Sequence, residues 1–316
     1  MKKALSLVKW SLLGLALLFG LLVAGSYANH RWQAPHEEAA YSPPGQMIAV
    51  NGHRLHVYAE GERGDLTLVF LSGSGTTAPT LDFKGVYSRL AEDYRVVVVE
   101  RAGYGWSDDS GGVSRDIETV MQETRLVLQE AGESPPYVLL PHSMSGLEAL
   151  HWGNRYPVEV AAIVGLDPAT PPIYEILPPS RVSLALITFA ARTGLLRLAP
   201  FLCQESSSAD YLSAEEVDIY CSIMYRRTLT DDMLAEIEIT QDNARQVAAD
   251  GIPNVPIYFI ISNGNGLPID NWGEILAAYA VAGGGEYLMM DAGHYVHSEA
   301  PDLVAAETRV FLQRIR

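Results

Sequence analysis

The sequence predicts an α/β protein: a mostly parallel sheet covered by helices on both faces, interrupted by a helical insertion and preceded by a transmembrane or signal helix. Three observations carry this reading. Short apolar strands without polar alternation recur between helical stretches, the pattern of strands buried on both faces. The alternation stops at Pro168 and resumes near Ile257. Lys2, Lys3 and Lys9 lead into an apolar run from Trp10 to Ala24 at the N-terminus. The chain has 316 residues, 48% of them hydrophobic, enough to bury the core of one large domain. With 19% charged and 9% aromatic residues, wholesale disorder is excluded.

The N-terminal run continues through Gly25, Ser26, Tyr27 and Ala28 without a charge, close to the roughly 20 apolar residues that a spanning helix needs. The basic flank precedes it and Glu37 and Glu38 follow, so the positive-inside rule puts Met1 in the cytoplasm and everything past His30 outside. An uncleaved anchor over residues 1–28 and a signal peptide cut near Ala28 both fit; the length of the run favours the anchor. Residues 29–45, with Pro35, Pro43 and Pro44, read as a linker.

The body then unfolds in order. Met47–Val50 and Arg54–Ala59 are strand-like around Asn51-Gly52, a pair suited to a tight hairpin turn. Leu66–Leu71 is an apolar strand, Phe83–Tyr94 a helix, and Val96–Glu100 a strand of consecutive valines. Ser114 is placed to cap a helix reaching Ala131, with Asp116 and Glu118 in its first turn. Tyr137–Leu140 is a strand, Met144–Tyr156 a helix and Val160–Leu166 a strand. Residues 169–251 read as helical. Strand Ile257–Ile261, helix Trp272–Ala282, strand Glu286–Met290 and helix Pro301–Ile315 complete the chain. Residues 46–168 and 252–316 thus form the sheet core, and 169–251 a cap.

Charge and cysteine content exclude several functions. A net charge of −16 is a poor match for phosphate backbones, which sets nucleic acid aside. Two cysteines, Cys203 and Cys221, exclude a disulfide-dense scaffold and a four-thiolate zinc site. Both fall in the cap, where they either pair, closing a loop worth roughly 3 kcal/mol, or stay as free thiols.

Leu140-Pro141-His142-Ser143-Met144-Ser145-Gly146 joins a strand to a helix, the place for a nucleophile elbow that lifts a serine hydroxyl clear of the sheet. Gly293-His294 follows a late strand and supplies a general base at the same sheet edge. His297 forms no metal pair with it, because no third ligand is signalled. Ser72-Gly73-Ser74-Gly75 follows the first long strand without a Gly-Lys-Ser/Thr, so it presents amides to an oxyanion rather than cradling phosphate; the N–H groups of Ser74 and Met144 are the pair. Glu100-Arg101-Ala102-Gly103-Tyr104-Gly105-Trp106-Ser107-Asp108 has Asp108 where a dinucleotide loop needs its third glycine, and reads as a turn.

Taken with that last segment, these motifs resemble the α/β-hydrolase superfamily from about Met47 to Arg316. The P-H-S-M-S-G elbow resembles a branch of exported or membrane-anchored bacterial hydrolases. The chain departs from the usual pattern at Pro141 in the elbow, at Ser72-Gly73 where H-G is usual, and at Glu100 where Asp is usual. In most of the family the triad acid follows the strand read here as Ile257–Ile261, yet Ser262-Asn263-Gly264-Asn265-Gly266 holds no carboxylate. Asp167 is the first candidate, at a position resembling the acid of pancreatic-type lipases one strand earlier; Asp270 is the alternative.

The resemblance implies a membrane-anchored serine hydrolase, carboxylesterase- or lipase-like, that cleaves an ester or lipid-like acyl bond through Ser143, His294 and Asp167 without metal or organic cofactor. Its partners would be a small ester or lipid-like substrate and the membrane. Two rival functions are an aminopeptidase on the same triad, using cap carboxylates among Glu215, Glu216 and Asp218 to hold an amine, and a non-catalytic interaction protein retaining the fold. The apolar cap stretch Ile173–Leu202, with Arg181, Arg192 and Arg197, suits a lipid interface, an acyl pocket or simple packing on the core.

Overall fold

The computed structural model describes residues 2–176 and 181–315. Its centre is an eight-stranded sheet: β1 (Gln46–Val50), β2 (His53–Glu60), β3 (Thr67–Leu71), β4 (Arg95–Glu100), β5 (Tyr137–Ser143), β6 (Val160–Pro168), β7 (Ile257–Ile261) and β8 (Glu286–Met289). The order is β1-β2-β4-β3-β5-β6-β7-β8. Only β2 runs antiparallel to its neighbours; the strands from β4 across to β8 are parallel. The helices are α1 (Lys2–Ala40), α2 (Pro79–Asp82), α3 (Lys84–Leu90), α4 (Ile117–Glu130), α5 (Ser145–Arg155), α6 (Pro171–Ile176), α7 (Arg181–Arg192), α8 (Phe201–Gln204), α9 (Ala214–Arg227), α10 (Asp231–Asp250), α11 (Trp272–Ala282), α12 (Val296–Glu299) and α13 (Pro301–Ile315).

The consecutive valines of β4 show why the strands lack alternation. Val97 and Val99 enter one core with Met121 and Leu128 of α4, Leu147 and Leu150 of α5 and Leu276 of α11. Val96 and Val98 enter the opposite core with Val86 and Leu90 of α3 and Val304, Phe311 and Leu312 of α13. Both faces are dry, so both need apolar side chains. The cap between β6 and β7 holds α6 to α10 with single turns of 3-10 helix at Leu195–Leu198 and Ser207–Tyr211. A Cys203–Cys221 disulfide ties α8 to α9. The apolar cap stretch includes residues 177–180, which lie outside the described residues.

Three local expectations need correction. First, the linker begins only at Tyr41, because α1 runs unbroken to Ala40 with Pro35 inside it. An interior proline costs about 3 kcal/mol. Here docking on the cap offsets that cost: Arg197 reaches both carboxylate oxygens of Glu37, at 2.6 and 2.8 Å, and also Gln33 and His30. Second, Asp116 rather than Ser114 caps α4, accepting from the Thr119 amide at 2.9 Å while the Ser114 hydroxyl braces the Asp116 carboxylate. Third, the helix expected over 83–94 is shorter: α3 covers only Lys84–Leu90, and a separate short helix, α2, precedes it and meets it at Phe83.

Helix α1 is the one described helix long and apolar enough to cross a membrane. Its residues 5–22 are exposed on every side, and half-buried positions begin at Val23 and recur at Ser26, His30, Gln33 and Glu37, the spacing of one helical face.

Candidate active site

Strand β5 ends at the sheet's carboxyl edge in Ser143, whose φ of +52° is rare outside glycine. The turn is held from below. Ser145 donates its hydroxyl to the carbonyls of Leu71 at 2.7 Å and His142 at 2.9 Å. A side chain at Gly146 would stand 2.4 Å from the Ala169 carbonyl oxygen, so only glycine lets α5 approach β6 this closely. The strand expected to end at Leu140 continues to Ser143, so Pro141 lies inside β5, where it pairs with Leu71, the final residue of β3.

His294 lies in the loop after β8, and its Nδ1 is 2.6 Å from Asp167 Oδ2. Because a carboxylate can only accept, Nδ1 carries the hydrogen, and Nε2 is left as the basic nitrogen. Asp167, the penultimate residue of β6, has a φ of +50° and is fully buried. Its carboxylate accepts from three further donors, the Ser262 amide and hydroxyl at 2.8 Å each and Trp272 Nε1, whose one hydrogen is shared between both oxygens at 3.0 Å. Ser262 occupies the place after β7 where the acid was sought. That position holds a donor to the acid of the neighbouring strand. Asp270 is exposed on the 263–271 loop, and His294 Nδ1 bonds Asp167 instead.

The loop after β3 closes against the elbow. A Cβ on Gly73 would fall 2.8 Å from the Ser143 Cβ and 3.0 Å from His142 Nδ1. This contact explains a glycine directly before Ser74. Among the described residues, neither the Ser74 nor the Met144 amide donates to a protein acceptor. The Glu100–Asp108 segment is the turn it was read as, with Glu100 as its anchor. The buried Glu100 carboxylate accepts from the amides of Trp106 at 2.7 Å and Thr80 at 3.1 Å and bonds His56 Nδ1 at 3.0 Å. Gly105, at φ +51°, has no room for a Cβ, which would meet that carboxylate at 2.0 Å. Arg101, fully buried, reaches Tyr104 at 3.0 Å, Glu148 of α5 at 3.4 Å and Glu236 of α10 at 3.3 Å, and so ties cap to core behind the elbow. Burial raises the Glu148 carboxyl above its ordinary range, against the pull of Arg101.

A second histidine–aspartate pair, unforeseen in the sequence, lies beside the first. His297 Nε2 meets Asp82 Oδ2 at 3.0 Å, and both side chains are buried. Ser208 of the cap donates to the other Asp82 oxygen at 2.6 Å. Among the described residues, no group of three side chains is arranged to hold a metal ion. His142 packs between His294 and His297, tilted against the first and edge-on to the second with ring centroids at 4.7 and 4.5 Å, and donates Nε2–H to the His294 carbonyl at 3.1 Å. Burial, and then the charges that His297 and His294 gain on protonation, hold the His142 pKa well below 6.5. The unfolded chain binds that proton near pH 6.5 and the folded chain does not. His142 therefore adds stability above pH 6.5 that is lost as pH falls below it, by at most about 1.4 kcal/mol per pH unit. Thermal midpoints should drop between pH 7 and 5, and less steeply in His142→Gln, whose amide keeps the bond to the His294 carbonyl. Parallel slopes for the two proteins would contradict this role.

A cavity of about 380 Å³ lies under the cap between residues 75–77, the residue-206–208 turn, Tyr220 and Met224 of α9, and Tyr295. It is walled by the residues that follow Ser74 and His294 in the chain. Of the cap carboxylates, Glu216 is occupied by Lys84 and by the α9 capping box with Ser213, while Glu215 and Asp218 are exposed.

The model of the alpha/beta hydrolase family matches residues 68–307. Uncharacterized protein YbdG of Bacillus subtilis is 31% identical over 325 aligned positions, which take in 99% of this chain and 98% of that one. Among solved structures, a putative epoxide hydrolase from Pseudomonas aeruginosa aligns at a TM-score of 0.62 with 19% identity, covering 86% of this chain and 95% of that one. The enol-lactonase from Burkholderia xenovorans LB400 aligns at 0.60 with 21% identity, covering 85% and 100%.

Proposed function

Since the chain belongs to the α/β hydrolase family, we propose that it is a serine hydrolase of carboxylic esters, held at a membrane by α1 with its catalytic domain outside the cytoplasm. The observation that carries this reading is the Asp167–His294 contact at 2.6 Å, at the sheet edge where Ser143 is raised on a strained turn.

In this reading His294 Nε2 removes the Ser143 proton as Oγ attacks the ester carbonyl. Asp167 keeps the proton on Nδ1 and stabilises the imidazolium that forms. Ser262 and Trp272 donate to the Asp167 side chain and hold it in place against His294. The amides of Ser74 and Met144 receive the oxyanion; each such donor typically contributes about 2.7–4 kcal/mol to the transition state. Collapse expels the alcohol, which takes its proton from His294. Water then attacks the acyl-enzyme by the same base, and the acid leaves from Ser143. Covalent opening of an epoxide calls for a carboxylate nucleophile, and position 143 carries a hydroxyl.

Membrane anchoring is supported by the exposed, charge-free stretch of α1 from Trp10 to Ala28, by the lysines at the start of α1, and by a disulfide that fits an oxidising compartment. The aminopeptidase reading is weakened in the cap, since Glu216 is already paired and neither Glu215 nor Asp218 lines the cavity under it. A panel of p-nitrophenyl esters from acetate to palmitate, run beside alanine and leucine p-nitroanilides, separates the two. Turnover of esters with none of the anilides is expected; the reverse would overturn the esterase assignment.

A further inference from the structure

The cap presents apolar surface that no part of the described chain covers. Helix α7 is exposed along most of its length, with Val182, Leu186, Ile187 and Phe189 open to the outside, and Leu198, Phe201 and Leu202 extend the patch. A soluble face this apolar is rare without a partner. The same stretch fixes where it sits. Gly194, two residues after the end of α7, packs so tightly against α1 that a Cβ there would lie 2.5 Å from the His30 Cβ and 3.0 Å from the Ser26 carbonyl oxygen. Those α1 residues stand at the end of the charge-free run. That run, from Trp10 to Ala28, is about 28 Å long, close to a hydrocarbon core of about 30 Å. The cap therefore meets α1 where a bilayer would end, with α7 ending two residues before the contact.

A cavity of about 440 Å³ opens at that level between α1 and the cap, with Arg31, Arg192, Arg226 and Arg227 in its wall against Asp109 and Asp231. Both acids are taken, Asp231 by Arg192 and Asp109 by Arg227. Glu37, 4.0 Å from Arg226, already holds Arg197 bidentate, and the buried Nε of Arg226 has no acceptor. Burial and the neighbouring Arg227 lower the Arg226 pKa, the mark of a cation short of a counter-charge. In a chain of net charge −16, this excess of cations sits where lipid phosphates would lie.

We propose that α7 and residues 198–202 are seated in the outer leaflet of the lipid bilayer beside α1, as a second membrane contact of the cap. The proposal rests on the anchoring reading above. It also narrows the substrate class to acyl esters resident in that leaflet. Helix α9 forms a wall of both cavities, and Thr228 lines each, so the membrane side and the pocket beside the catalytic loops share one element.

The test uses the full chain in nanodiscs of mixed phosphatidylethanolamine and phosphatidylglycerol, with spin labels on Leu186→Cys and Phe201→Cys, introduced without reductant so that the Cys203–Cys221 bridge stays closed. Leu15→Cys on α1 serves as the lipid reference, and Val158→Cys, exposed at the turn before β6, as the water reference. Collisional accessibility to oxygen relative to a nickel chelate should be several-fold higher at 186 and 201 than at 158, approaching the value at 15. Water-like values at 186 and 201 with a lipid-like value at 15 would overturn the second contact and leave the anchor standing. A water-like value at 15 as well would overturn both.

Discussion

Ser143→Ala is expected to lower kcat on a hydrolysed ester by a factor on the order of 10⁶, to the background left by binding and oxyanion donors. The loss should appear at unchanged folding. Alanine at φ +52° keeps a strain of roughly 1–2 kcal/mol that serine already bears. Ser143→Gly removes the Cβ and with it that strain, so it should be equally inactive yet at least as stable to heat as the parent. Together the two variants separate chemistry from stability. If either kept turnover within tenfold of the parent, the nucleophile would lie elsewhere.

The second large effect concerns the acid. Asp167→Asn should lower kcat by about 10⁴, because an amide can donate to His294 and stabilise the wrong tautomer. Asparagine tolerates the left-handed backbone at φ +50°, so the fold should persist. Asp270→Asn should leave kcat within about twofold, since that side chain is exposed and His294 bonds Asp167. Stopped-turnover assays on the two variants decide the point, and equal losses would contradict it. Removing the donors tests the same logic at lower amplitude. Ser262 and Trp272 stabilise the carboxylate and hold it in place, so their loss acts on His294 only through Asp167.

The sheet was legible because both of its faces are dry. Continuous runs such as Val96–Val99 have no other use in a chain of this charge, and strand β7, helix α11 and helix α13 fall on the residues their pattern marked. The elbow, the histidine loop and the glycine-rich loop were legible because each needs particular residue types at a strand's end. Three features were hidden for one shared reason: they depend on contacts between residues far apart in the chain. The continuation of α1 past Ala28 comes from Arg197, 160 positions beyond Glu37. The Asp82–His297 pair spans 215 positions, and the Ser262 donation to Asp167 spans 95. The one local hint was the missing carboxylate after β7, where Ser262 stands. It pointed away from that strand without showing what the serine does there.

The cap illustrates the same limit. Its helices were foreseen, but its apolar stretch was equally compatible with packing on the core, and α7 is exposed instead. Beside the apolar packing of Ile173, Ala244 and Val247 on the core, its attachment has polar pins: Glu236 accepts from Tyr104 at 2.7 Å and pairs with Arg101, and Asp232 accepts from the Ser110 amide at 2.8 Å. Buried charge pairs of this kind fix orientation more than they add stability. Here they hold α10 over the elbow while leaving the apolar side of the cap facing α1 and outward.

The most direct measurement is covalent titration of the intact protein with a fluorophosphonate, read by intact mass and mapped by peptide mass spectrometry. The account predicts one adduct per chain, carried by the peptide containing Ser143, with labelling accelerated through the titration of a single base and slowed by Asp167→Asn. A folded protein that takes up no adduct, or carries it on another residue, would contradict the assignment of an activated serine at this elbow.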